Sequence, residues 1–273
     1  MRKFSVSFLT TSSLLLGCLA GGTFVRLLFS PGAASHSLYL DLMKRTLTDV
    51  IYEETPQAIL ARTEGRDWPG RAHTMIGLAR LDNLHFCMVD VLKRDIPGDF
   101  IECGAWRGGA TIFMRAVLEA YGVTNRTVWV ADSFEGLPTP NPQQYPADAG
   151  LQLHTVEYLA VSLEKVKDNF SRYRLLDDQV QFLKGWFKDT LPNAKIERLA
   201  VLRIDADMYE STTDALKHLY PKLSVGGYVI IDDVGDLPPC KKAVDDYRSA
   251  HHITSEVKPI DWTGVYWRKE ANQ

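Results

Sequence analysis

Cysteine is scarce in this chain of 273 residues, and no two cysteines are spaced as a metal-binding pair. The four cysteines are scattered along the chain, at positions 18, 87, 103 and 240, and no Cys-x-x-Cys motif occurs. This spacing excludes a small disulfide-stapled fold and a thiolate zinc site. A nucleophile elbow of the form Gly-x-Ser-x-Gly is also missing, and Cys103 has no obvious histidine partner. The sequence therefore gives no support to hydrolysis by a serine or cysteine nucleophile.

A basic block is missing as well. The chain has 31 Lys and Arg residues against 34 Asp and Glu residues, for a net charge of −3. Because nucleic-acid binding depends on neutralising phosphates, we expect no nucleic-acid partner. Hydrophobic residues make up 45% of the chain and charged residues 24%, which indicates a sizeable core and one elaborated α/β domain.

The first 30 residues differ from the rest. Between Lys3 and Arg26 lie 22 residues without a charge, close to the about 20 that span a bilayer core. We therefore predict a membrane-associated protein with a signal-anchor helix in residues 1–30, on an undetermined side of the membrane. A cleaved signal peptide, a lipoprotein cleavage box at Cys18 and an organellar presequence are the alternatives.

The segment 31–98 is predicted to be a helical cap that precedes the main domain. Small residues at 31–37 indicate a linker, and apolar residues at helical spacing predict a helix over 38–52. The residues 63–71 break the pattern, and a longer helix is expected over about 74–93.

From residue 99 to 273 the pattern predicts alternating strands and helices. The expected strands are 99–104, 127–133, 180–185, 200–205 and 227–233, with helices near 106–121, 154–175, 211–222 and 239–250. This order implies a doubly wound, mostly parallel sheet of the Rossmann-like kind. Two further strands, 255–259 and 264–268, predict a C-terminal antiparallel hairpin and a total of seven strands.

Ligands of such sheets bind beyond the carboxyl ends of the strands, and the first end is rich in glycine. Gly104 permits a tight turn, and Gly108 and Gly109 allow close approach to the next helix. Glu102 is placed to meet a ligand amine. Trp106 stands where a nicotinamide fingerprint needs glycine, which disfavours a dehydrogenase. The alternative is a purely structural strand-to-helix turn.

The second strand end carries an aspartate and an aromatic residue. Asp132 lies about one βα unit further on, where an acid accepts hydrogen bonds from ribose hydroxyls. We expect Phe134 to cover a purine face. A helix cap is the alternative role for Asp132.

Aspartates end two other strands. Asp205, Asp232 and Asp233 are expected to converge, and hard oxygen ligands of this kind suit Mg²⁺ or Ca²⁺. Asp207, two residues beyond Asp205, points to the same side and is a candidate proton acceptor. The alternative is a set of solvated turn acids.

Seven ungapped motifs make the chain resemble the macrocin O-methyltransferase family of S-adenosylmethionine-dependent enzymes. The similarity runs from about Tyr39 to Trp267, and the motifs are 39–42 (YLDL), 72–77 (AHTMIG), 80–84 (RLDNL), 102–109 (ECGAWRGG), 131–138 (ADSFEGLP), 185–191 (GWFKDTL) and 207–212 (DMYEST). The resemblance implies a class I methyltransferase domain over 99–273 that transfers a methyl group to a hydroxyl of a sugar, another small molecule or a glycan, with help from Mg²⁺.

The resemblance also implies roles for individual residues. It places the metal ligands at Asp205, Asp232 and Asp233. From their positions at the end of one strand we predict Asp205 and Asp207 as the catalytic residues. Contacts to S-adenosylmethionine are expected from eight residues: Thr74, Met75, Glu102, Gly104, Asp132, Ser133, Phe134 and Gly185. A homo-oligomer is left open.

Two rival hypotheses come from other classes of protein. One is an oxidoreductase that binds a nucleotide sugar or NAD on the same scaffold, which Trp106 disfavours. The other is a catalytically silent, membrane-tethered binding module. Retained carboxylates disfavour this second hypothesis, since packed acids without a ligand only repel each other.

Overall fold

A seven-stranded sheet forms the centre of the protein in the computed structural model, which describes residues 31–271. Its strands are β1 Asp99–Cys103, β2 Val128–Asp132, β3 Val180–Lys184, β4 Leu199–Ile204, β5 Leu223–Ile231, β6 Lys258–Pro259 and β7 Val265–Arg268. The order across the sheet is β3-β2-β1-β4-β5-β7-β6, with β1 to β5 parallel and β7 antiparallel to both β5 and β6. The predicted fold class and C-terminal hairpin are confirmed.

Eight α-helices accompany the sheet within the described residues. They are α1 Pro31–Leu47, α2 Pro56–Glu64, α3 Leu78–Lys93, α4 Gly109–Ala120, α5 Leu163–Arg172, α6 Phe187–Thr190, α7 Tyr209–Leu219 and α8 Pro238–Ala250. The predicted linker at 31–37 is wrong, because α1 begins at Pro31. The helix α2 was not predicted. Thr55 caps it, with its hydroxyl accepting a hydrogen bond from the Ala58 amide, and Pro56 stands at its first turn, where the missing N–H costs nothing.

Two hydrophobic clusters cover the two faces of the sheet. One contains buried residues of α1, α3 and α4, and the other contains buried residues of α7 and α8. Side chains of β1 alternate between them, with Phe100 in the first and Ile101 in the second. The helices before β1 therefore share a core with the sheet.

The chain order creates a crevice at one point of the sheet. From β1 the chain winds outward through β2 to β3 and then returns to place β4 on the other side of β1. The connections leave β1 and β4 in opposite directions, so their carboxyl ends open a crevice, the usual ligand site of doubly wound folds.

The prediction of a membrane-associated protein needs correction. Within residues 31–271, no helix combines the length and the apolar character needed to cross a bilayer. Residues 1–30, for which we predicted a signal anchor, lie outside the described residues.

Candidate active site

A single cavity lies at the crevice, and it collects most of the predicted site residues. Seven of the eight expected cofactor contacts line it: Thr74, Met75, Glu102, Gly104, Asp132, Ser133 and Gly185. The four aspartates predicted for metal binding and catalysis line the same cavity: Asp205, Asp207, Asp232 and Asp233. Residues up to 159 positions apart in sequence, from Thr74 to Asp233, thus line one cavity.

The turn after β1 allows the ends of β1 and β4 to touch. Gly104 has φ +89°, and a Cβ at this position would lie 1.7 Å from the Asp205 carbonyl oxygen. The Asp205 amide in turn donates to the Cys103 carbonyl at 2.8 Å. Only glycine fits here, because both the backbone conformation and the close approach exclude a side chain.

Asp132 holds the turn after β1 and the turn after β2 in place. Its Oδ2 accepts hydrogen bonds from the amides of Ala105 (2.7 Å) and Trp106 (3.2 Å), and its Oδ1 accepts one from the Phe134 amide (2.7 Å). Burial raises the pKa of Asp132, while these three donors oppose the rise. The carboxylate therefore does more than cap a helix, since it joins two loops at the cavity wall.

Phe134 does not line the cavity, contrary to the prediction that its ring covers a purine. Its side chain is 4% exposed and packs in the first hydrophobic cluster, near Phe182. The left-handed backbone at this residue, φ +59°, turns the side chain into the core. The alternation of side chains along a strand does not reveal this change of direction, because Phe134 lies beyond the end of β2.

Glu102 lines the cavity and has one unpaired carboxylate oxygen. Its Oε1 accepts a hydrogen bond from Arg203 Nη1 at 2.6 Å, whereas its Oε2 has no partner among the described residues. Burial raises the pKa of Glu102 to about 8, opposed by Arg203 and assisted by the carboxylates of Asp205 and Asp232. A positively charged amine would satisfy the free oxygen and stabilise the ionised form.

The segment that carries Thr74 and Met75 is docked on the start of α4. The Gly109 amide donates to the His73 carbonyl at 2.8 Å, and a Cβ on Gly109 would lie 2.4 Å from that same oxygen. Arg62, buried in α2, donates to the carbonyl oxygens of Met75 and Ile76. The N-terminal helices thus hold one wall of the cavity against the sheet.

Three aspartates form a compact carboxylate group, which we call the aspartate triad: Asp205, Asp232 and Asp233. One carboxylate oxygen from each lies within 4.8 Å of the others. Arg203 Nη1 donates to Asp205 Oδ2 at 3.0 Å, and Arg203 Nη2 donates to Asp232 Oδ1. Within the described chain, Asp233 has no cationic partner, and its Oδ2 accepts only the Asp207 amide at 3.2 Å.

The electrostatics of the triad favour a bound cation. Burial and the neighbouring carboxylates raise the pKa of Asp205 to about 6, and they also raise the pKa of Asp233. The same two causes raise the pKa of Asp207 to about 8. Buried acids that repel each other are relieved by a positive charge, and oxygen ligands without histidine or cysteine suit Mg²⁺. The residues present therefore fit a divalent cation, and the alternative of solvated turn acids is disfavoured.

Sequence reasoning missed two arginines that belong to this site. Arg203 is 1% exposed in β4, and Arg80 of α3 is 6% exposed and donates from Nη1 to Asp232 Oδ2. A charged residue inside the apolar run of a strand needs buried partners, so Arg203 carried a usable signal. Arg80 opens the 80–84 motif, but this motif does not reveal its partner, since Asp232 lies 152 residues further along the chain.

Comparison with known proteins agrees with this geometry. The family model described as macrocin O-methyltransferase (TylF) matches residues 55–269. A tetracenomycin-C 4'-O-methyltransferase of Streptomyces olivaceus, named for a substrate that carries a dimethoxy-rhamnosyl group, is 54% identical over 247 residues, which cover 87% of this chain and 94% of that protein. The mycinamicin III 3''-O-methyltransferase of Micromonospora griseorubida is 52% identical over 86% of this chain and 97% of its own length.

Solved structures of methyltransferases also resemble this chain. The structure of the O-methyltransferase NovP superposes with a TM-score of 0.83 at 54% identity and covers 86% of this chain and 99% of its own. A calicheamicin methyltransferase, CalS11, shares the fold at 20% identity with a TM-score of 0.56.

The fold defines a class I methyltransferase, and the relatives show that the reaction is transfer of a methyl group from S-adenosylmethionine to a hydroxyl oxygen. The chain belongs to the macrocin O-methyltransferase family. The expected family and activity are confirmed, and the rival hypotheses of an oxidoreductase and of a silent binding module are set aside.

The raised pKa of Asp207 predicts how the metal-free protein responds to pH. Its folded pKa of about 8 lies above the unfolded value of 3.8, so the folded protein holds this proton more tightly than the unfolded chain does. The contribution of the Asp207 proton to the free energy of unfolding is fully present below the unfolded pKa and is lost as the pH rises through the folded pKa of about 8. Between pH 6.5 and 8.5 in EDTA, we expect the melting temperature to fall by roughly 4–8 °C, equivalent to about 2 kcal/mol. Asp207→Asn should flatten this dependence, and the exposed Asp246→Asn should not. Equal slopes in wild type and Asp207→Asn would contradict the assignment.

Proposed function

We propose that this enzyme methylates a hydroxyl of a sugar unit in an uncharged glycoside, with a divalent cation at the aspartate triad and Asp207 as the proton acceptor. The observation that carries the proposal is the convergence of three carboxylates, one buried and two partly buried, at two adjoining strand ends, beside the turn that would hold the methyl donor. One of the relatives described above is named for methylating a compound that carries a rhamnosyl group.

The methyl donor would be held by residues of the first two strand ends. S-adenosylmethionine supplies an electrophilic methyl group on a sulfonium centre. Glu102 lines the cavity, and its unpaired Oε2 would accept a hydrogen bond from the amine of the methyl donor. Asp132 would use its remaining lone pairs for the ribose hydroxyls. Thr74, Met75, Ser133 and Gly185 line the same cavity and would exclude water around the donor.

The cation would be held by Asp205, Asp232 and Asp233. Mg²⁺ in such a site supplies a Lewis acid that lowers the pKa of a hydroxyl. The group around the triad holds five acids, with Glu102 and Asp207 added, against the two guanidiniums of Arg80 and Arg203. Two added positive charges would bring this group close to neutrality, which is why a divalent ion suits it better than a monovalent one.

Asp207 is placed to take the proton of the acceptor hydroxyl. It follows β4 at two residues from Asp205, and both line the cavity. Its left-handed backbone, φ +57°, and the hydrogen bond from its amide to Asp233 tie its position to the triad. A carboxylate at this point can accept a proton without leaving the metal site incomplete, because Asp207 is not a member of the triad.

The charge of the cavity selects an uncharged acceptor. Ten acids line it, Asp67, Glu102, Asp132, Asp205, Asp207, Glu210, Asp214, Asp232, Asp233 and Asp236, against three basic residues, Arg66, Arg80 and Lys188. A negative cleft attracts cations such as a sulfonium or Mg²⁺ and repels phosphates. A glycoside fits this field better than a nucleoside diphosphate sugar does.

Removing triad carboxylates should abolish methyl transfer. We expect Asp233→Asn, which keeps the shape of the side chain, and the double variant Asp232→Ala/Asp233→Ala to lower kcat/KM by at least about 100-fold. The measurement is transfer of labelled methyl from S-adenosylmethionine to a glycoside, with Mg²⁺ or with EDTA. The exposed pair Asp245→Ala/Asp246→Ala on α8 is the matched control. Full activity of the triad variants in EDTA would remove the metal from the mechanism.

Replacing the proton acceptor should slow the reaction but spare metal binding. For Asp207→Asn we expect kcat to fall by about 10²- to 10⁴-fold, the usual contribution of a general base. The Mg²⁺ affinity, measured by titration calorimetry, should stay within about twofold of wild type. A variant that keeps its kcat, or loses activity only because metal no longer binds, would refute the role given to Asp207.

The negative cavity predicts discrimination between two forms of one sugar. An aryl α-L-rhamnoside should show a kcat/KM at least about tenfold above that of a nucleoside diphosphate rhamnose at low ionic strength. The gap should narrow in 0.5 M salt, because salt screens the repulsion. A preference for the diphosphate, or a gap that salt leaves unchanged, would count against electrostatic selection.

A further inference from the structure

We propose that Arg80 is a positioning residue: it orients the Asp232 carboxylate for the cation and fastens the C-terminal hairpin to the metal site. The inference rests on the metal site of the proposed function and assigns a role to the 80–84 motif, which the catalytic scheme leaves unused. Arg80 lies on α3, in the N-terminal helical part of the chain, 152 residues before Asp232.

Arg80 joins three parts of the protein at one buried point. Its Nη1 donates to Asp232 Oδ2 at the end of β5, and its Nε donates to Asp261 Oδ2 at 2.7 Å in the turn between β6 and β7. The guanidinium is 6% exposed and Asp232 is 4% exposed. A charged network buried to this degree has little freedom to rearrange, because a broken contact leaves an unpaired charge without water.

Asp232 is held from both sides, which fixes the plane of its carboxylate. Arg80 occupies Oδ2, and Arg203 occupies Oδ1 from β4. Each oxygen keeps a further lone pair, so the two arginines leave room for a cation while they set its direction of approach. Groups that hydrogen-bond a ligating carboxylate in this way commonly change metal affinity by about 10- to 100-fold.

The hairpin turn is shaped around the arginine. Asp261 Oδ1 accepts the amides of Thr263 (3.1 Å) and Gly264 (2.8 Å), which leaves its Oδ2 for Arg80. A Cβ on Gly264 would lie 3.3 Å from Arg80 Cδ. The Arg80 guanidinium also lies 5.6 Å from the ring of Trp262, which lines the cavity and whose Nε1 donates to the Glu64 carbonyl. The turn therefore depends on Arg80 for its position beside the cavity.

Arginine suits this position better than lysine. Two different nitrogens of one planar group meet two carboxylates at fixed angles, which a single ammonium on a flexible chain cannot reproduce. A lysine would keep the charge and lose the geometry, so the two contributions of Arg80 can be measured separately.

A role for Arg80 as a counter-ion and a role as a positioning residue predict opposite effects of its removal on cation binding. If Arg80 served only as a counter-ion that competes with the metal, removing its charge would strengthen cation binding, since fewer positive charges would oppose it. If Arg80 positions Asp232, removing it would weaken cation binding in spite of that electrostatic gain. The structure favours the second result, because Arg80 binds one face of Asp232 and the hairpin turn at the same time.

The test is the Mg²⁺ affinity of the full chain, measured by titration calorimetry without acceptor. We expect R80Q to weaken Mg²⁺ binding by about 10- to 100-fold, R80K by several-fold, and Asp261→Asn by several-fold while the charge of Arg80 is kept. R115Q is the matched control: Arg115 is equally buried and pairs with Asp177 at the opposite edge of the sheet. It should lower the melting temperature and leave Mg²⁺ affinity within about twofold.

Each outcome decides a different statement. Unchanged or tighter Mg²⁺ binding in R80Q and R80K would overturn the positioning role while the proposed metal site stands. If R80Q does not fold, Asp261→Asn, which retains both arginines, decides the matter by the same measurement. No saturable Mg²⁺ binding by the wild-type chain would overturn the metal site and this inference together.

Discussion

The structure depends on the repulsion among carboxylates that two adjoining strand ends force together. Asp205, Asp232 and Asp233 cannot move apart, because their backbones belong to neighbouring strands, and Glu102 and Asp207 add to the same field. Two buried arginines offset part of this charge, one from β4 and one from α3. Burial, together with the charge that remains, raises the pKa values of Asp205, Asp207 and Asp233.

The N-terminal part of the chain forms one wall of the candidate active site. Its helices place the segment of Thr74 and Met75 against the start of α4 through the hydrogen bond between the Gly109 amide and the His73 carbonyl. They also deliver Arg80 to Asp232, and they share a hydrophobic cluster with the sheet. Burial of that shared apolar surface supplies the free energy that keeps a repulsive acidic site assembled.

Sequence reasoning succeeded where a rule connects position along the chain with position in space. Strand ends of a parallel sheet lie on one edge, so Asp132, Asp205 and Asp233 could be placed in one site without a structure. It failed where direction changes within a residue or two: the left-handed turn at Phe134 sends the ring into the core. The helix α2 was missed because only two of its residues, Pro56 and its capping Thr55, mark its start, and its apolar pattern is weak.

The sequence by itself determined the fold class, the family and the identity of the acids at the strand ends, because these follow from periodicity, spacing and ungapped motifs. Only the tertiary structure decided which charges face those acids. Arg80 reaches Asp232 and Asp261 across 152 and 181 residues. Such a contact comes from the packing of α3 against the sheet and the hairpin, and no local pattern encodes it. The physical reason is that partners of a buried charge are chosen by geometry in three dimensions, where every part of the chain competes.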